Sequence, residues 1–99
     1  MVNVHVELLV GLREKYGINF ELIDDAVGGN LHLWIVGAKG FKAHVWTFIP
    51  RRSEDGLIPL VKEAERIILN HLLHGDIHRL TEAIIIAKKR LQNKGLLES

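Results

Sequence analysis

Cysteine is absent from the 99 residues, and with it go disulfide scaffolds, thiolate metal sites and cysteine nucleophiles. Serine occurs only at Ser53 and Ser99, and Gly28-Gly29 is not followed by the Lys-Ser/Thr of a phosphate-binding loop. Neither a serine triad nor a nucleotide cradle is therefore supported. Gln and Met appear once each, a scarcity of labile residues that thermophilic proteins share. No charge dominates: 13 basic and 12 acidic side chains give no overall field to draw in nucleic acid. The apolar stretch from Met1 to Leu12 contains Glu7, has no basic segment ahead of it and runs into Arg13-Glu14-Lys15. It reads as neither signal peptide nor membrane span, and a cytoplasmic protein with no membrane partner is expected.

What is present is the balance of an ordinary folded protein, 47% apolar and 25% charged, in a length that suits one domain spanning 1–99. No repeat, low-complexity run or linker interrupts it. Residues 2–12 alternate as a strand would, yet Val6, Leu9, Val10 and Tyr16 also share a helical face. The ending Arg13-Glu14-Lys15-Tyr16-Gly17, basic and closed by glycine, favours a helix over 4–16. Ile18, Phe20 and Leu22 mark a short strand, and Leu31–Val36 and Phe41–Ile49 two more. The segment from Pro50 to Gly56 reads as a loop. Pro59 opens a helix whose stripe is Leu60, Val61, Ala64, Ile67, Ile68, His71 and Leu72, ending at Gly75. Asp76 then caps a second helix, Ile77–Asn93, with Leu80, Ile84, Ala87 and Leu91 inward and Gly95 as its stop. The expected fold is α+β: a three- or four-stranded antiparallel meander packed on a C-terminal αα-hairpin and preceded by an N-terminal helix.

Between the second and third strands lies Gly37-Ala38-Lys39-Gly40. A three-residue loop with Gly40 left-handed would set Gly37 opposite Phe41. Continued without interruption, that register puts Leu31, Leu33, Ile35, Phe41, Ala43, Val45, Thr47 and Ile49 on a core face. The opposite face receives His32, Trp34, Val36, Lys42, His44, Trp46 and Phe48. This mixed face is too apolar to stand open to water. Trp34, Trp46, Phe48, His32 and His44 are thus candidates for an interface between two copies, since aromatic residues are what interface cores prefer and a standard interface buries roughly 1,200–2,000 Å². Aromatic rings beside cations can also stack on unpaired bases.

A second candidate is the basic run Lys88-Lys89-Arg90 with Lys94, which has no acid between Ala83 and Leu97. With Lys42 it could meet phosphates, although cations near a helix C-terminus also complement the helix dipole. His71, His74, Asp76 and His78 have spacings that suit a metal, but Gly75 breaks the helix between them, and no metal is expected. The acidic pairs Asp24-Asp25 and Glu54-Asp55 fall in turns, where aspartate bonds its own backbone. No catalytic residue or cofactor site is recognisable, so a noncatalytic protein is expected.

An αβββα order is similar to that of the double-stranded RNA-binding domain. That family opens its last helix with a Lys-Lys stretch, whereas Leu60-Val61-Lys62-Glu63-Ala64-Glu65 stands there in this chain. In texture and length, through segments such as Leu12-Arg13-Glu14-Lys15-Tyr16-Gly17 and Leu31-His32-Leu33-Trp34-Ile35-Val36, the whole chain resembles small proteins of the lipothrixviruses and rudiviruses, filamentous DNA viruses of hot acidic springs. The resemblance implies an archaeal host cytoplasm and a viral accessory role, and it transfers no activity. The expected function is a homodimeric interaction module, with nucleic-acid binding through the basic helix as the alternative.

Overall fold

Why residues 4–16 become a helix rather than a strand is settled by what they bury. Leu8, Leu12 and Tyr16 form an unbroken line at four-residue spacing, and this line enters the core while Val10 stays outside, 47% exposed. The expected face through Leu9 and Val10 is thus corrected by rotation: Leu9 sits at the margin of the core. The side chain of Val6 lies outside the described residues.

The structure, a computed structural model, describes residues 4–24, 30–49, 51–53, 56–58, 60–75 and 79–97, with side chains described for these except residues 4–6, 51–53, 56–58 and 60. In chain order it comprises α1 (Val4–Tyr16), β1 (Asn19–Asp24), β2 (Leu31–Val36), a 3-10 turn (Ala38–Gly40), β3 (Lys42–Phe48), β4 (Arg51–Ser53), β5 (Gly56–Ile58), α2 (Leu60–His74) and α3 (Leu80–Asn93). Strands β1, β2 and β3 form an antiparallel meander, and β4 and β5 a separate two-stranded hairpin. The α+β architecture matches the sequence expectation, with a helix and not a fourth strand at the N-terminal end.

All three helices pack on one face of the meander. Helix α3 lies along β3, α1 lies against β1, and α1 and α2 pack together. The inward stripe of α3, Leu80, Ile84, Ala87 and Leu91, is buried as its periodicity requires. On α2, Ala64, Ile67, Ile68 and His71 are buried, whereas Val61 is exposed. Glu63 is buried there as well, its carboxylate gripped by Arg66 through Nη2 to Oε1 at 2.5 Å and Nε to Oε2 at 3.3 Å.

Two local expectations change. The expected loop from Pro50 to Gly56 instead contributes Arg51–Ser53 and Gly56 to the β4–β5 hairpin, in which Ser53 pairs with Gly56. Only two residues separate that pair, the shortest common hairpin link; their acidic character reads in sequence as a solvated loop. Helix α3 starts at Leu80, not Ile77, because Arg79 stands just before it in a left-handed conformation, φ 58°, which a helix cannot continue through. The expected cap Asp76 lies outside the described residues.

The loop between β2 and β3 follows the expected form. Gly40 is left-handed at φ 79°, and the Gly37 amide donates to the Phe41 carbonyl at 2.7 Å. After α3, Gly95 at φ 72° makes a two-bond helix stop: its amide donates to Gln92 O, and that of Leu96 donates to Leu91 O, each at 2.9 Å. Leu96 O then accepts from the Ala38 amide at 2.7 Å, fastening the end of α3 to the β2–β3 loop.

Candidate functional site

The site is the face of the meander that carries none of the three helices. Along β2, inward Leu31, Leu33 and Ile35 alternate with His32, Trp34 and Val36, which are half-buried on this other face. On β3 the alternation is interrupted. Pairing runs Val36 to Lys42, Ile35 to Ala43 and Trp34 to His44, then jumps to Leu33 with Trp46, His32 with Thr47 and Leu31 with Phe48. Val45 is the extra residue of a β-bulge, and every position beyond it is reassigned between the faces.

This corrects the expected register from Val45 onward. Phe48, a proposed interface residue, is 1% exposed in the core, and Trp46 packs against the same core. Thr47, expected inside, is on the open face with the histidines. Phe41 and Ile49, also expected inside, flank the strand at 55% and 65% exposure. Of the five candidates, the structure keeps Trp34, His32 and His44 together and removes Trp46 and Phe48.

The bulge draws three polar side chains into a triangle. His32 Nδ1 is 3.2 Å from His44 Nε2 and 3.1 Å from Thr47 Oγ1, and Thr47 Oγ1 is 3.0 Å from His44 Nε2. One consistent pattern has Thr47 donating to His44 Nε2 while His32 Nδ1–H donates to Thr47 Oγ1. Trp34 leans on the group edge-on, its ring centroid 5.0 Å from that of His44 with the planes at 81°. The indole Nε1 of Trp34 is buried and has no hydrogen-bond partner among the described residues. Beside it, Lys42 and Glu21 form an ion pair at 2.7 Å.

Burial holds the His44 imidazolium below its ordinary pKa of 6.5, and the charges of His32 and Arg90 push the same way. Below pH 6.5 the unfolded chain takes up this proton before the folded one does, so the folded state loses stability as pH falls through that range. Urea unfolding midpoints should therefore drop between pH 7.5 and 5.5, and His44→Asn should lessen the drop. An equal drop in the variant would place the acid sensitivity elsewhere.

The basic residues do not converge. With Ala87 and Leu91 inward, Lys88, Lys89 and Arg90 fan around the helix at about 100° per residue, Lys88 half-buried and the other two exposed. Lys94 is the exposed C-cap. The charge of Arg90 acts on His44, on the open face.

His71 lies on the expected stripe of α2, near the C-terminal end of that helix. It is 2% exposed, because its place on the inward stripe carries it under α1. There Tyr16 Oη meets its Nε2 at 2.5 Å and reaches Thr81 Oγ1 at 3.3 Å, with the Tyr16 and His71 rings stacked. This junction ties α1, α2 and α3 together. His74 is exposed, and Asp76 and His78 lie outside the described residues, as do Asp25, Glu54 and Asp55. Among the described residues no three His, Cys, Asp or Glu side chains gather as a metal set, and no helix is long and apolar enough to cross a membrane.

A groove of about 490 Å³ between α1 and α2, lined by Glu7, Leu8, Lys62, Glu65, Arg66 and Leu69, has side chains of both charge signs on its walls. Arg66 there is already engaged by Glu63. The open face of the sheet is thus the better-organised surface. Comparison with family models, with curated proteins and with solved structures returns no match, so the reading of this site rests on its own geometry.

Proposed function

We propose that the protein is a noncatalytic interaction module that pairs with a second copy of itself through the open face of its sheet. The observation that carries the reading is the placing of all three helices on the opposite face, which leaves Trp34, its buried indole nitrogen without a partner among the described residues, on a half-buried surface. Ile23 adds exposed apolar area on that side, and Lys42 and Glu21 supply one charge of each sign. A two-fold contact brings such a patch against itself, so each lysine can meet a glutamate across the axis. A viral accessory role asks no more of the chain than this.

Nucleic-acid binding is the second reading, favoured by the nearness of Arg90 to His44 and by Lys42 on the same face. One series of measurements separates the two. Light scattering at rising concentration should approach twice the chain mass of 11.2 kDa, and Trp34→Ala should return the particle to a single chain. A wild-type protein that stays at one chain mass sinks the self-association. A salt-sensitive gel shift on DNA from that monomer would move the function to the basic residues.

A further inference from the structure

We infer that His32, His44 and Thr47 form a binding site for one late first-row divalent cation, such as Zn(II) or Ni(II). This goes beyond self-association and does not depend on it.

Three donors set it up: an imidazole nitrogen from each of two strands and a hydroxyl oxygen, all within 3.0–3.2 Å of one another. An ion about 2.0–2.1 Å from its ligands spaces neighbouring donors about 3.0 Å apart in octahedral geometry and about 3.4 Å apart in tetrahedral geometry. The triangle falls within that range on each edge, so a point at bonding distance from all three lies just off its plane. Little movement is needed for it to serve as one face of a coordination shell, with the remaining positions taken by solvent.

The bulge is what makes this possible. Residues three apart on a regular strand project to opposite faces. His44 and Thr47 are three apart, and the single extra residue Val45 returns both to the side of His32 while Trp46 and Phe48 turn to the core. Imidazole nitrogen and a neutral hydroxyl together, with no carboxylate in the set, select Ni(II), Cu(II) and Zn(II) over Mg(II) and Ca(II). Among the described residues, the histidines that converge are His32 and His44 of the sheet.

The test is calorimetric titration of the full-length chain, stripped with EDTA, using Ni(II) and then Zn(II) at pH 7.5. One ion per chain is expected, with binding weakened about tenfold or more in both His32→Ala and His44→Ala and unchanged in His74→Ala. Because Trp34 touches His44, Ni(II) should also quench part of the tryptophan emission. A third imidazole in Thr47→His should tighten binding about tenfold or more, and this gain serves as the test even if an alanine variant fails to fold. No binding by the wild type, or binding indifferent to His32→Ala, His44→Ala and Thr47→His alike, would leave the triangle a hydrogen-bond network only and overturn the proposal. Light scattering with and without Ni(II) reads self-association separately, so either idea can fail alone.

Discussion

Phe48→Ala should lower the free energy of unfolding by about 3–5 kcal/mol, the cost of emptying a fully buried aromatic site. Phe48 is 1% exposed and lies opposite Leu31, which with Leu33 and Ile35 faces the three helices. Truncation there removes apolar burial and leaves a cavity that strands pinned by β1 and α3 cannot close. Trp34→Ala makes the matching comparison. Although the larger side chain is removed, Trp34 is only half-buried and carries no helix over it, so in urea titrations dilute enough to keep both proteins as single chains its loss should cost less than half as much. The inverse result, a mild Phe48→Ala and a severe Trp34→Ala, would mean that strand β3 pairs in the uninterrupted register and that no bulge exists at Val45.

Gly37→Ala should cost about 2–3 kcal/mol, a large penalty for one methyl group. The backbone at Gly37 is extended and would accept alanine by conformation alone, with φ at −100°. The obstacle is space: a Cβ there would stand 2.9 Å from Leu96 O and 3.3 Å from Leu91 Cδ1. A carbonyl oxygen fixed by the Ala38 amide cannot swing aside as a side-chain tip can, so the methyl group must either strain the loop or break that bond. Gly11 supplies the control. A Cβ at Gly11 meets Leu72 Cδ1 at 2.9 Å, the mobile end of a half-buried side chain, and Gly11→Ala should be tolerated far better, the more so because alanine favours the helix. Thermal unfolding of the two variants decides the matter, and equal effects would refute the fastening of α3 to the hairpin.

The parts of this fold that could be read in the sequence are those where one periodicity runs uninterrupted. Leu80, Ile84, Ala87 and Leu91 admit only a helix with that face inward, and Leu31–Val36 alternates so cleanly that its limits and its core side follow directly. Strand β3 starts as legibly, because the Gly37–Gly40 loop fixes its pairing with β2. It becomes illegible at Val45, where one additional residue exchanges the faces of Trp46, Thr47 and Phe48 without leaving any turn-forming residue behind. The candidate site was legible in the same measure. His32, Trp34 and His44 precede the bulge and were placed on one surface correctly, but the convergence of Thr47 with them depends on the bulge itself. Helix α1 shows a different limit. Apolar residues there are dense enough to fit several faces, and only the packing of Leu12 and Tyr16 under α2 chooses among them. For His71, the stripe placed the residue inside, and there Tyr16 offers its ring nitrogen a partner.

The sole tyrosine of the chain sits where α1, α2 and α3 meet, while one of its two tryptophans looks out from the far side of the sheet. The molecule thus carries separate optical probes for its two sides. Once Trp46, which packs against the core, is replaced by phenylalanine, near-ultraviolet dichroism from Tyr16 follows the docking of the helices, and the emission of Trp34 responds to whatever lands on the exposed strands. Heating, acid or an added ion can then be assigned to one side or the other without attaching a dye.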